Sequence, residues 1–484
     1  MSARDLLAPV ACMLALSGLG FGASMEQPRA GHVAALRAGS APVDVVTLVC
    51  PSVTGTAAGL VTTMSVADLG GALPGGAAPV SVTALPLTGA GRRFSLDPQP
   101  VATLRKTTPY AAVAVTAKGP GAAQIVVDQV GLQSQGLGRA ATDSPCLAPS
   151  GDWWFAGADG RVGYDAALLL TNPTDTLANV AVTAWSATGP LRVAGLDALT
   201  VAPHSLLGLK VASFAPNAAN VAVHVHVVSG SVVASLSQRR TYGIHPGGSD
   251  WTPPAMAPAT SFVVAGLPAG AGNRHLSLAN PGSRDATVGV RVMTRTGNFE
   301  PAGSHSIIVP AGRTVDVDLS AAIADEPAAI VGTSDQPVVA EGRMTAHARA
   351  QYDDIAWLPA LPPMSGPAGL AANDPPFGQD VYLVLAAPRD AARVRIASAS
   401  GGSAVVAVPA GRTVQVDPRA LLHLTGAPVG ALAIVPLGPA PVYATRVLYA
   451  KGTHGPLITS EAPQVLPAAI VLPPVVEDPR AGTR

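Results

Sequence analysis

The sequence predicts an all-β protein: tandem antiparallel β-sandwich modules of the immunoglobulin or fibronectin kind, following an N-terminal hydrophobic segment. Three observations carry this expectation. Leu168-Leu169-Leu170-Thr171-Asn172-Pro173 returns as Leu276-Ser277-Leu278-Ala279-Asn280-Pro281 and, worn, as Leu383-Val384-Leu385-Ala386-Ala387-Pro388, at spacings of 108 and 107 residues. A fixed period marks tandem units, and this period is about the size of one sandwich. The 51 Gly and 46 Pro are spread as punctuation between short valine-rich runs, a pattern of many short strands joined by turns. No segment of about 30 residues reads as strand–helix–strand, which argues against a doubly wound sheet; propeller blades repeat at roughly 40–50 residues, half the period seen here.

Composition agrees. With 484 residues the chain has room for three or four domains. Hydrophobic residues make up 48% and charged residues only 12%, at a mean hydropathy of +0.35, so cores can be built and the bulk should fold. Net charge is zero and no basic stripe exists, which argues against a nucleic-acid partner. Lysine is confined to Lys106, Lys118, Lys210 and Lys451, with arginine carrying the positive charge.

Taken in order, residues 1–25 hold Arg4 and then an apolar run from Leu6 to Met25, long enough for a secretory signal peptide or a membrane anchor. Gly22, Ala23 and Ser24 offer a cleavage site, and Cys12 sits too early for a lipid-modified cysteine. Residues 26–45 read as a linker. A Cys-bracketed β domain follows over 46–151, with strand-like runs at Val45–Val49, Val80–Ala84, Ala111–Ala117 and Ile125–Val130. Cys50 and Cys146 are the only cysteines outside the leader. In an exported chain they suggest a disulfide closing the block, two free thiols being the alternative.

Three β repeats then occupy 152–258, 259–366 and 367–468. Their strands recur in a fixed order: Val180-Ala181-Val182, Val288-Gly289-Val290 and Val394-Arg395-Ile396 each run to a glycine turn. Val309-Pro310-Ala311-Gly312-Arg313-Thr314-Val315 is matched by Val408-Pro409-Ala410-Gly411-Arg412-Thr413-Val414, and Val338-Val339-Ala340 by Val442-Tyr443-Ala444. The repeats close at Trp251-Thr252-Pro253-Pro254, Trp357-Leu358-Pro359-Ala360 and Val465-Leu466-Pro467-Ala468. Residues 469–484 form a Pro-rich, extended tail.

Several of these strings form a recognisable set: Leu48-Val49-Cys50-Pro51, Cys146 ahead of Asp152-Trp153-Trp154-Phe155-Ala156-Gly157, Tyr164, Leu170-Thr171-Asn172-Pro173, Asp250-Trp251-Thr252-Pro253 and Ala444-Thr445-Arg446. Over most of residues 46–460 the chain resembles a family of exported actinobacterial proteins of unknown function. The resemblance implies a hydrophobic N-terminal segment, a Cys-bracketed region and several β-rich repeats. It also implies a cell-envelope context, since members are often encoded beside a glycosyltransferase. No catalytic residue is established for that family, so none is carried over, and the third repeat departs from it at Ala387-Pro388.

The chain holds no HExxH, Walker loop, dinucleotide fingerprint or G-x-S-x-G elbow. Neither catalytic, cofactor-binding nor metal-ligating residues are expected. His224 and His226 alternate on one strand and face the same way, but no paired cysteine or third histidine stands nearby and the other modules lack the pair, so they read as surface histidines. Asp353-Asp354 reads as a solvated loop, because neighbours on a strand point to opposite faces and make a poor carboxylate pair. Asn172 and Asn280, before proline, read as turn residues. Trp153, Trp154, Trp251 and Trp357 lie at module boundaries, either as junction fillers or as platforms for sugar rings. The expectation is therefore a non-enzymatic exported protein of the cell envelope, membrane-anchored or secreted. It would act as a scaffold or interaction module on an envelope protein or polysaccharide, with polysaccharide binding by the tryptophans as the alternative. An envelope hydrolase is disfavoured because no nucleophile–base constellation stands out.

Overall fold

The computed structural model describes residues 39–53, 59–87, 92–94, 101–269, 272–323, 326–347, 352–374, 380–452, 454–467 and 469–472. The apolar run Leu6–Met25 and the tail from Pro473 lie outside the described residues. Strands dominate, all their pairings are antiparallel, and the sheets stack as sandwiches.

The second sandwich shows why these residues form these elements. One sheet orders Asp152–Ala158, Val221–Ser229, Ala178–Ser186 and Gly189–Leu191; the other orders Ser205–Lys210, Tyr164–Asn172, Val233–Tyr242 and His245–Thr252. Along Ala178–Ser186 burial alternates residue by residue, as the period of two in a pleated strand demands. The inward side chains Val180, Val182, Leu168, Leu170, Val223 and Val225 form one core. Each such side chain contributes roughly 1.5–3 kcal/mol when buried.

The same strand order appears four times. In the Cys-bracketed block, Val45–Cys50, Val113–Lys118, Ser81–Pro86 and Arg92–Phe94 face Val101–Lys106, Leu60–Asp68, Ile125–Gln133 and Ala140–Pro145. This first block is thus a further copy of the repeat, although it lacks the founding hexapeptide. In the third sandwich one continuous strand, Ala328–Ala346, serves both sheets: its first half pairs Ala286–Thr294 and its second half pairs Arg274–Asn280. The fourth sets Ala368–Leu370, Leu432–Pro436, Ala392–Ser398 and Ser403–Val408 against Arg412–Val416, Asp380–Ala387, Tyr443–Gly452 and Gly455–Glu461.

Asn172 and Asn280 fill the turn role in detail. Each side chain is buried at a strand end and donates to two carbonyls, of Thr176 and Val201 or of Arg284 and Val309. Each also accepts from the backbone two residues on, Thr174 or Gly282. This clamp is the local hydrogen-bonded turn that asparagine favours. Cys50 and Cys146 are joined in a disulfide across 96 residues, which stabilises the first sandwich by up to about 4–5 kcal/mol in the chain-entropy account.

The closing strands bring the sandwiches together. We label them β1 (Ala140–Pro145), β2 (His245–Thr252), β3 (Asp354–Leu361) and β4 (Gly455–Glu461). Hydrogen bonds join β1 to β2 (Asp143 N–H to Asp250), β2 to β3 (Ser249 N–H to Asp354) and β3 to β4 (Ile458 N–H to Asp354). The fourth sandwich returns to the first, where the Ala371 and Ala372 N–H groups donate to Asp128 at 2.8 and 3.0 Å. Two further bonds span opposite members: Ala141 N–H to Asp354, and the Thr459 hydroxyl to Asp250. Residues 43–468 therefore close into a ring of four around a shared centre. Prolines from every member, including Pro145, Pro253, Pro359 and Pro463, line one apolar cavity of about 380 Å³.

Residues 39–41 and 470–472 form a separate two-stranded antiparallel ribbon, Gly39 opposite Leu472. The sequence reading placed these short segments in a linker and a tail, because a partner some 430 residues away leaves no local signal.

Candidate functional site

The centre of the ring is charged and buried. Arg446, from the strand beside β4, is fully buried and bonds three carboxylates: Asp128 at 2.9 Å, Asp143 at 2.7 Å and Glu461 at 2.5 Å. Burial drives Asp128 and Glu461 above the usual carboxylate range, against the pull of the guanidinium. Desolvation and the neighbouring carboxylates favour the neutral forms of Asp128 and Glu461, and Arg446 favours their charged forms. Asp250 and Glu341 are likewise buried and pushed well up by desolvation. Glu341 accepts the Ala156 N–H from the second sandwich at 2.9 Å.

Asp354 corrects the sequence reading. It is the first residue of β3, fully buried, and accepts N–H groups of Ala141, Ile458 and Ser249 from the other three sandwiches. Burial pushes its carboxyl up to about 7, although the N–H groups of Ile458, Ala141 and Ile355 and the charge of Arg139 pull it down. Asp353 is buried too, held by Arg240, Tyr242 and His347. Two adjacent acids look like a solvated loop in sequence; ring closure is what removes them from water. In Asp128, Asp143, Glu341 and Glu461 one carboxyl oxygen is bonded, to backbone N–H groups or Arg446, while the other is buried without a hydrogen-bond partner; the bonded oxygen fixes each side chain's orientation.

The tryptophans divide. Trp357 is 2% exposed, and its ring presses on Gly157 of the second sandwich, where a Cβ would stand 2.7 Å away. Gly157 also has φ +78°, which glycine adopts without strain. Trp153 belongs to the second sandwich's core, and Trp154 packs with Ala255, Ala279 and Val339 at the junction with the third. All three are buried. Trp251 is only half-buried and lines a cleft of about 300 Å³ between the first and second sandwiches, with Thr142, Leu169, Gln238 and Arg239. Asp165 in that cleft is paired to Arg239 at 2.6 Å and to Lys210.

A second arrangement lies on the sheet face of the second sandwich. Register puts Asp152 opposite His226 and Trp154 opposite His224, on adjacent strands. Asp152 Oδ1 stands 2.5 Å from His224 Nε2 and 3.8 Å from His226 Nδ1. Trp154 Nε1 donates to Asp152 Oδ2 at 2.9 Å, its ring stacks on His224 at 3.9 Å, and Trp185 stacks on Trp154 at 5.6 Å. Sequence reasoning missed Asp152 because it lies 72 residues before His224; only the strand register brings them together. The Asp152-Trp153-Trp154 string lay in view without a partner to give it meaning.

Among the described residues no helix is long and apolar enough to cross a membrane. A Thermotoga maritima protein of solved crystal structure is similar to part of the chain, 15% identical over 22% of this chain and 96% of its own, at a TM-score of 0.19. The tetra-tandem repeat in the extending region of a large adhesion protein is 13% identical, covering 89% of this chain and 99% of its own, at a TM-score of 0.09. Neither score is high enough to bear on fold or function. No curated protein matches. A family model does match, over residues 101–419, and the chain belongs to that family of unknown function, DUF5719.

Proposed function

We propose that this chain is a non-enzymatic, exported protein of the cell envelope that serves as a scaffold or interaction module for envelope assembly. One observation carries the reading: four sandwiches are locked in fixed orientation by a buried hub, Arg446 with Asp128, Asp143 and Glu461, and by the N–H groups converging on Asp354. Such a body presents invariant outer faces, which suits assembly better than it suits a moving catalytic cleft. Export fits the disulfide, which persists in oxidising compartments. The apolar run Leu6–Met25 would supply the signal or the membrane anchor.

A second reading, polysaccharide binding, draws on the half-buried Trp251 in a cleft that also holds Gln238, Arg239 and Asp165. One aromatic face with nearby hydrogen-bonding groups is the minimum a sugar platform needs. Cross-linking intact cells and recovering the full chain separates the two. Reproducible recovery of the same envelope proteins, unchanged in a Trp251→Ala variant, is the expected result. Recovery of cell-wall polysaccharide alone, lost in Trp251→Ala, would replace the scaffold by the second reading.

A further inference from the structure

We propose that Asp152, His224 and His226 form a binding site for one divalent transition-metal ion of the zinc class. Among the described residues this is the one group of three metal-ligating side chains whose donor atoms all lie within 4.8 Å of one another. The other histidine–carboxylate contacts, such as His275 with Asp316 and His305 with Glu300, bring a single imidazole each.

The fold builds the group from two strands. His224 and His226 are two apart on Val221–Ser229, so both side chains leave the same face. Asp152 is held opposite His226 on the neighbouring strand by backbone pairing. Zinc bonds to nitrogen and oxygen measure about 2.0–2.2 Å, which sets tetrahedral ligand atoms about 3.3–3.5 Å apart. The separations of 2.5 and 3.8 Å from Asp152 Oδ1 bracket that value. Small side-chain rotations would seat an ion without moving the backbone.

The outer contacts orient each donor, as they do around metal-ligating side chains generally. Trp154 Nε1 occupies Asp152 Oδ2 and leaves Oδ1 for the ion. Thr183 Oγ1 lies 3.5 Å from His224 Nδ1, which leaves Nε2 facing Asp152. Stacking between Trp154 and His224, 10° from parallel, restrains the imidazole ring. Two imidazoles and one carboxylate complete three of four positions. With His226 59% and Asp152 47% exposed, the fourth stays open to water or to an oxygen donor of a partner. Softer ligands are missing, so nitrogen- and oxygen-preferring Zn(II), and Co(II) or Ni(II) in its place, are the ions that fit.

The test uses the full chain after chelator treatment, in equilibrium dialysis against Zn(II) and in titration with Co(II). One ion per chain is expected, with the visible absorption of four-coordinate Co(II) and quenching of the stacked Trp154 and Trp185 fluorescence. Asp152→Asn and His226→Ala should each weaken Zn(II) binding by at least about 10–100-fold. Both positions are exposed enough that either variant should keep its thermal unfolding midpoint without metal. Absence of stoichiometric Zn(II), or binding that survives both substitutions, would overturn the proposal.

Discussion

Replacing Arg446 by methionine is the sharpest test of the ring. The substitution keeps an unbranched apolar stem and removes only the guanidinium, so cavity formation contributes little. What it leaves is three carboxyls, Asp128, Asp143 and Glu461, each fully buried and now facing one another without a cation. Removing one partner of a buried ion pair costs about 3–5 kcal/mol, because the other charge stays desolvated. The cost depends on pH, and its sign follows from the direction of the shifts. Asp128 and Glu461 already sit above their ordinary values, and losing Arg446 raises them further. An acid raised in the folded state contributes fully below its unfolded value, near 4, and loses that contribution as pH rises through the folded value. The variant should therefore fall about 3–5 kcal/mol below wild type at pH 7.5 and regain much of the deficit by pH 5. Denaturant midpoints at the two pH values measure this. A variant within about 0.5 kcal/mol of wild type at pH 7.5, or a deficit that does not shrink on acidification, would refute the reasoning. Asp128→Asn in the Arg446→Met background should restore part of the loss, since it removes one of the stranded charges.

Two further outcomes follow from the same structure. Trp357→Ala should cost about 3–5 kcal/mol, as large buried aromatics do, and Trp251→Ala clearly less, read as the difference between their unfolding midpoints. Asp354→Asn should flatten the pH dependence of stability: with the wild-type carboxyl at about 7, its contribution declines between pH 4 and 7, and the slope of midpoint against pH over that range should be shallower in the variant.

Much of the fold was legible because its signals are local. The hexapeptide period, the glycine-ended strands and the two cysteines announced repeated sandwiches and a closed first block without any knowledge of distant contacts. The first block's kinship to the repeats was not legible. Its strand Leu60–Asp68 turns Met64 and Val66 to the core and also buries Thr62, Thr63 and Ser65, so neither alternation nor the leucine motif marked it. Asp250 and Arg446, which in sequence belong only to family-like strings, are linked through Asp143, whose N–H donates to Asp250 and whose carboxylate bonds Arg446, and Asp354 passed for a surface acid. Their burial is a property of four bodies closing on one another, which no window of sequence contains. The same holds for Asp152 and the two histidines, joined by strand register alone.

Ring closure also sets an order in time. Asp128 and Asp143 are made 318 and 303 residues before their counter-ion, Arg446. While the chain is being synthesised, the first sandwich must wait with two acids and an apolar wall, Leu69 and Val126, uncovered. Ala371 and Ala433 of the fourth sandwich reach that wall only at the end. Contacts of such sequence separation form late and leave intermediates exposed to association. During that interval a neighbouring chain's fourth sandwich satisfies the first as well as its own would, so crowded, slow synthesis favours exchanged dimers. Prompt emergence of the last hundred residues favours the monomeric ring.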